Sequence, residues 1–534
     1  MPTTLETLPD DVTELKKIVQ ELLSKHAELQ QYKEAITSEL ERYKAELQAE
    51  KEKYAVLQRL VFGQKSEKKA ERENPKQEML FNEAETYATE ETGPKEATVS
   101  VAAHERKKTG RKPFPAHLER NEIVHAMPFE ARTCQECGSL RPEIGEERTE
   151  ELRLIPAKAV IDVHVVKKYG PCQCGHCGIP IIQAKGPAKI VPGSRFSNGT
   201  IAFFLTSKFV DAQPFYRMEG ILSRWGVDTG RSTLCNLAIS SGRAVGELVQ
   251  AIRDDVLQSP VIGMDETTLK VLHETNRSAA SQSYMWVTQG YHRGKRLIFY
   301  HYHPTRSGAV ASTFLKGYAG YLQTDGYSGY TAVGESPSII HVGCMAHVRR
   351  KFFEADKIAK GEGHAGKMLA MIGALYRDEA AIRQKYGLAP ADSRAFLEER
   401  RRMQQPKLEA MYAWLVATNA KAVPSSLLGK AISYALGQWS RVTRYLDHEL
   451  LTPDNNMLEN AIRPFVIGRK NWLFSNTPRG AHVSAGLYSL IETAKACGHE
   501  PYKYLCHVFD RLPTLTAKED RLLLLPYILD PQSY

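Results

Sequence analysis

The sequence predicts a multidomain α+β protein, and three observations carry that expectation. A heptad repeat runs along residues 11–62, five of the nine cysteines crowd between Cys134 and Cys177, and short apolar runs after residue 256 twice end in Asp. At ~100–200 residues per domain, a chain of 534 residues holds about three to five folding units. A hydrophobic content of 42% is ordinary for globular proteins and excludes wholesale disorder. No stretch approaches the ~18 apolar residues of a membrane helix, so no membrane partner is expected. Met1 to Val12 is polar and acidic, without the apolar core of a secretory signal, which predicts a cytoplasmic protein. The formal charge of +9 permits a polyanionic partner without requiring one.

Residues 1–62 are expected to form a coiled-coil helix. Val12, Val19, Leu40, Leu47 and Tyr54 fall at one core position; Leu15, Leu22, Leu29, Ile36, Tyr43 and Leu57 fall at the other. His26, Lys33 and Glu50 interrupt the seam and would fix its register at some cost in stability. The pattern favours a homodimer or higher oligomer over one helix folded onto its own chain. Residues 63–120 read as a linker, first basic (Lys65 to Lys76), then acidic, and closed by the basic arm His104–Pro115. Within that arm Arg111 and Lys112 suit a narrow DNA minor groove, and a solvated basic linker reads equally well.

Residues 121–190 are expected to bind zinc. Cys134 and Cys137 make one Cys-x-x-Cys knuckle, and Cys174 and Cys177 a second, giving four thiolates for a tetrahedral structural Zn²⁺ site. Cys172 and His176 are rival ligands. The β-branched run Ala159–Val166 between the knuckles suits a strand. In residues 191–255, a helix over Phe215–Trp225, a turn containing Gly226 and Gly230, and a helix over Ser232–Ile239 suggest a helix-turn-helix. Thr229 or Ser232 would cap the second helix, and Arg231 and Ser232 would meet DNA.

Residues 256–480 read as α/β. Pro260–Met264 is a short strand ending at Asp265; Tyr284–Gly290 and Arg296–His303 form a hairpin about a Gly-Lys turn; Gly320–Thr324 is a strand ending at Asp325. Two strands that each deliver an Asp at the carboxyl end build a metal-binding cleft, although each Asp alone also suits a turn. The segment Asp454–Trp472 strengthens the pair. Asp454 or Asn455 can cap a helix that carries Asn455 and Glu459 on one face, and Arg463, Arg469 and Lys470 follow as phosphate-binding cations. Two Asp and a helical Glu around two Mg²⁺ ions (or Mn²⁺) form the apparatus for attack at phosphorus by water or a 3′-hydroxyl. Between Asp325 and Glu459 a helical insertion is expected over about 352–450, including helices at Phe352–Lys360 and Lys407–Ala417. Arg349, Arg350 and Lys351, with His347, follow a strand at Ile339–Gly343 as further phosphate-binding candidates. Trp472 suits either a core position or a stack on an unpaired base. Glu266 and Glu492 are rival carboxylates that rank below the three. Residues 481–534 are expected to be helical.

These residues resemble the large-subunit DDE transposases of bacterial insertion sequences of the insertion-sequence-66 type. The resemblance runs through the coiled-coil start, Gly63–Lys68, Gly110–His117, the cysteine knuckles, Met264–Thr267 and Gln323–Tyr330. It continues through Gly343–Phe352, Glu459–Pro464, Gly468–Phe474, Leu487–Lys495 and Pro501–Leu505. The resemblance implies an RNase H-like core with Asp265, Asp325 and Glu459 as the acidic triad, two Mg²⁺ ions, and the element's terminal inverted repeats and target DNA as substrates. It also implies accessory proteins of the same element and association with the bacterial nucleoid. The second knuckle departs from the family's spacing at Tyr169–Cys174, which leaves Cys172 and Cys174 both open as ligands. Two other classes stand beside a transposase: an RNase H-like nuclease or resolvase, and a non-catalytic DNA-binding regulator, which would have no need of the carboxylates.

Overall fold

The computed structural model describes residues 11–62, 158–169, 182–359 and 363–534. Arg111, Lys112, Cys134, Cys137, Cys172, Cys174, His176 and Cys177 lie outside the described residues. Helix α1 (Val12–Phe62) is continuous, as its heptads predict. Its seam residues Leu22, Leu29, Ile36, Leu40 and Leu47 are all exposed, so the helix is not folded back onto the described residues.

The strand expected over 159–166 does not form. Val160, Ile161, Val163 and Val165 are exposed, and pairing starts only where β1 (Lys168–Tyr169) meets β2 (Ile182–Gln183) antiparallel. β-branched residues favour extended backbone, but a ladder needs a neighbouring strand, and among the described residues none lies beside 159–166.

Four helices follow: α2 (Asn198–Phe209), α3 (Phe215–Arg224), α4 (Arg231–Ala244) and α5 (Gly246–Val256). The α3–α4 pair occupies the expected helix-turn-helix, with Gly226 at φ +77° in the turn. The expected cap is corrected: Gly230 is the N-cap of α4, and neither Thr229 nor Ser232 caps it with a side chain. Thr229 is buried instead.

A mixed five-stranded sheet follows, built from β3 (Val261–Lys270), β4 (Gln282–His292), β5 (Lys295–His303), β6 (Gly320–Gln323) and β7 (Ile339–Val342). Its order is β5-β4-β3-β6-β7, antiparallel across the first three strands and parallel across the last three. The β4–β5 hairpin turns at Arg293-Gly294, both at positive φ, rather than at Gly-Lys. The short helices α6 (Gly308–Phe314) and α7 (Thr331–Gly334) lie in the crossovers.

The helical insertion comprises α8 (Met345–Ala359), α9 (His364–Tyr386), α10 (Ser393–Asn419) and α11 (Leu427–Val442), with a hydrophobic core of its own. Its first helix starts seven residues earlier than Phe352, directly after β7. Helices α12 (Asn456–Trp472), α13 (Pro478–Ala496), α14 (Pro501–Arg511) and α15 (Lys518–Leu522) complete the chain. Helix α13 covers the outer edge of β5 in an unusual way. Ser489 Oγ accepts from the Tyr300 N–H at 2.8 Å, and Thr493 Oγ1 accepts from the Ile298 N–H at 3.0 Å. These hydroxyls satisfy backbone groups that an edge strand otherwise leaves open.

Candidate functional site

The parallel β3–β6 pair delivers two of the three carboxylates to the same end of the sheet. Gly263 pairs with Gln323 at the end of the parallel β3–β6 ladder. Two residues further along each chain, past the last paired rung, come Asp265 and Asp325. One detail differs from the sequence expectation. β3 does not end at Asp265; it continues to Lys270 because β4 goes on pairing with it, so only the β6 side opens at that level. At the open side Thr324 hydrogen-bonds His341 across 2.8 Å, and Asp325 Oδ1 accepts from the Tyr327 N–H at 2.9 Å, which fixes the turn that carries Asp325.

Glu459 arrives on α12. Asp454 Oδ1 accepts from the Asn456 N–H at 3.0 Å and so starts the helix, while Asn455, the N-cap by backbone geometry, makes no side-chain cap. Instead the Cys344 thiol donates to Asn455 Oδ1 at 2.9 Å, and Met345 N–H donates to Pro453 O at 2.8 Å. These bonds tie the start of α12 to the β7–α8 junction. The helix crosses the Asp265 face of β3: a methyl added to Gly263, which shares that face, would meet Leu458 at 3.5 Å. Glu459, next to Leu458, is buried, as is Asp265.

Electrostatics agree with this convergence. Burial pushes the Asp265 carboxyl well above its ordinary range, and the charges of Glu266, Asp325 and Glu459 push it further. Among the described residues no three His, Cys, Asp or Glu side chains are drawn together closely enough to enclose an ion. The three carboxylates share a field without forming a closed cage.

The rival carboxylates are engaged elsewhere. Glu266 alternates away from Asp265, accepts from Arg306 Nε and from Tyr330 OH, both at 2.5 Å, and is held up by burial against the pull of Arg306. Glu492 accepts from Lys495 at 2.9 and 3.1 Å within α13. Of the expected phosphate contacts, Lys351 and Lys470 are exposed, and Arg349, Arg350 and Arg463 are half-buried. Arg469 turns to β3, donating to Thr268 Oγ1 at 2.6 Å and to the Thr268 carbonyl. Arg231 and Ser232 are exposed at the start of α4. Trp472 is half-buried at the edge of the core, packed on Phe465 at 5.5 Å, with the Lys208 ammonium 5.4 Å from its ring.

Sequence reasoning missed three groups near the site: the Arg306–Tyr330 pair on Glu266, the Cys344–Asn455 bond, and Tyr434, which lies over Gly326. Tyr330 and Cys344 stand inside segments already singled out; Tyr434 lies in an amphipathic helix with no local signal.

Comparison with known proteins agrees with the resemblance. A family model described as "Transposase IS66 family" matches residues 193–483, more than half of the chain. A second, "Transposase C of IS166 homeodomain", matches residues 51–123, and a third, "IS66 C-terminal element", matches 489–527. Among curated proteins, the uncharacterized protein y4qI of Sinorhizobium fredii (strain NBRC 101917 / NGR234) is 29% identical over 553 residues, covering 98% of each chain. The uncharacterized protein y4jD of the same strain is 27% identical over 426 residues, covering 78% of this chain and 81% of its own. With its central sheet, insertion and carboxyl-terminal helices spanned by these matches, the chain belongs to the IS66 family of transposases.

Proposed function

We propose that the chain is a DDE enzyme that cleaves DNA at its element's terminal inverted repeats and transfers the freed 3′ ends into target DNA. In this reading Asp265, Asp325 and Glu459 are the triad on an RNase H-like sheet. The single observation that carries it is buried Asp265 standing within the field of the Asp325 and Glu459 charges, with the Glu459 helix across its face of β3. The donor set is all oxygen, and Asp265 is buried among like charges, a repulsion that divalent cations relieve; both suit Mg²⁺ or Mn²⁺. Mg²⁺ retains several waters and needs few protein ligands, so three carboxylates without a closed cage suffice. When bound, two such ions would activate the attacking oxygen and stabilise the leaving one. The protein's own part is positional. The Thr324–His341 and Asp325–Tyr327 bonds fix the turn bearing Asp325, the Cys344–Asn455 bond fixes the start of the Glu459 helix, and Arg306 keeps Glu266 out of the site.

In the same reading, Arg231 and Ser232 on α4, Arg349, Arg350 and Lys351 on α8, Arg463 and Lys470 on α12, and Arg111 and Lys112 of the basic arm supply contacts to DNA. Arg469 braces β3 and acts on DNA at most indirectly. Cys134, Cys137, Cys174 and Cys177 hold a structural Zn²⁺, and α1 joins two or more copies.

The test uses purified full-length protein, labelled duplexes carrying the ends of the encoding element, and Mg²⁺. Asp265→Asn, Asp325→Asn and Glu459→Gln are each expected to lower cleavage and strand transfer by at least about a thousandfold while DNA binding survives, in line with loss of metal-assisted phosphoryl chemistry. Full activity in any of the three sinks the triad. Cleavage without strand transfer identifies a nuclease instead, and binding without cleavage by the unaltered protein a regulator.

A further inference from the structure

Tyr434 belongs to α11 of the helical insertion, yet it reaches the turn that carries Asp325. A Cβ added to Gly326 would run into the Tyr434 hydroxyl, and the next nearest atoms, at 3.2 and 3.4 Å, are carbons of the same ring. The neighbours Ala431, Ile432 and Ala435 are buried in the insertion's core, whereas Tyr434 is half-buried at its rim. The Lys351 ammonium on α8 stands 5.7 Å from the Tyr434 ring centroid. A phenol is a neutral donor at physiological pH, and an ammonium beside it adds positive charge. Together they form a small anion-attracting patch beside a carboxylate proposed to hold cations. A group that fits between cations and such a patch is a phosphate, since its oxygens can face both.

We propose that Tyr434 is a substrate-contacting residue whose hydroxyl donates to a phosphate oxygen of the DNA strand held at Asp325, with Lys351 supplying charge beside it. The assignment rests on the catalytic reading of Asp325. It gives the insertion a direct part in the reaction: the fold brings a side chain from a separate helical core onto the β6 turn. If Tyr434 served only to anchor the insertion on that turn, its loss would weaken folding rather than turnover.

The experiment measures single-turnover cleavage of element-end duplexes by full-length protein, together with duplex affinity and melting temperature. Tyr434→Phe is expected to lower the cleavage rate at saturating DNA by about tenfold to a hundredfold, the worth of a hydrogen bond to a charged group, with affinity and melting temperature unchanged. Lys351→Gln should lower it by a smaller factor. Gly326→Ala, whose methyl meets the Tyr434 hydroxyl first, should impair the unaltered protein but add little in the Tyr434→Phe background. Wild-type cleavage by Tyr434→Phe overturns the assignment, and so does a loss that tracks a fallen melting temperature. Asp325→Asn separates the two layers. If it is inactive while Tyr434→Phe is fully active, only the Tyr434 assignment fails; if Asp325→Asn is itself active, the catalytic reading fails.

Discussion

Asp265 shows how a single buried carboxyl can weaken the fold that holds it. It lies inside a strand, buried, with like charges from Glu266, Asp325 and Glu459 around it, and its carboxyl is pushed well above the usual range. The sign of the stability effect follows. Between the ordinary carboxylate pKa and the raised native one, the folded state binds more protons than the unfolded, so this contribution to stability falls as pH rises and is restored by acid. Asp265→Asn should therefore raise the melting temperature at neutral pH while abolishing cleavage, and should flatten the pH dependence of melting in that window. Mg²⁺ should raise the melting temperature of the unaltered protein, by about 2.7 kcal/mol of stability at a hundred times its Kd, and have little effect on Asp265→Asn. Thermal melts with and without Mg²⁺ measure both; equal Mg²⁺ shifts in the two proteins would count against Asp265 as a ligand.

At the scale of elements, the sheet and its helices are joined by polar side chains as much as by apolar packing. Thr493 Oγ1 both accepts from Ile298 N–H and donates to Ile298 O, each at 3.0 Å, so one hydroxyl of α13 serves as a missing neighbour strand for β5. Thr493→Val keeps the shape but leaves those buried backbone groups unmatched, a cost of about 1–3 kcal/mol in urea unfolding. A value near zero would mean that β5 does not depend on that hydroxyl. The insertion is secured by a comparable device. Fully buried Arg400 on α10 donates to Glu379 on α9 at 2.5 and 3.1 Å, and to the carbonyls of Tyr445, His448 and Leu451 in the segment that leads to α12. Arg400→Leu would leave Glu379 to Arg383 and Gln404 alone and the three carbonyls without their donor, and is expected to cost about 1–3 kcal/mol. Because the same guanidinium orders the approach to α12, that substitution should also lower cleavage.

For the whole molecule, α1 presents its seam to solvent, with Leu22 and Leu29 61% and 65% exposed. An apolar stripe of this length is the usual mark of association. On the proposal that α1 joins copies, replacing Leu22, Leu29 and Ile36 together with Lys should lower the mass in sedimentation to that of one chain without altering the melting of the rest; an unchanged mass would remove α1 as the joining element. Part of the positive charge also has a place: Arg349 to Lys351 lie in the first turns of α8, and Arg463 and Lys470 lie along α12 after Glu459, where on the proposed reading a phosphate backbone would run. Much of this was legible beforehand. Heptads dictate α1, alternating apolar runs dictate β4 and β5, and the capping and facing of residues 454–459 follow from helical spacing, because each of these signals is local. What the local signals could not decide is who pairs with whom. The extent of β3 beyond Asp265 depends on β4, the absence of a strand at 159–166 depends on a missing neighbour, and the retreat of Arg469 from solvent depends on Thr268. Tyr434 is the extreme case: an ordinary amphipathic helix gives it no mark, and only packing the insertion against the β6 turn brings it to Gly326. The sequence by itself determined most of the helices and the β4–β5 hairpin; the tertiary structure decided how far β3 runs, which strands pair and what company the carboxylates keep, because register and long-range contact are set by the burial of whole faces rather than by any residue's neighbours in the chain.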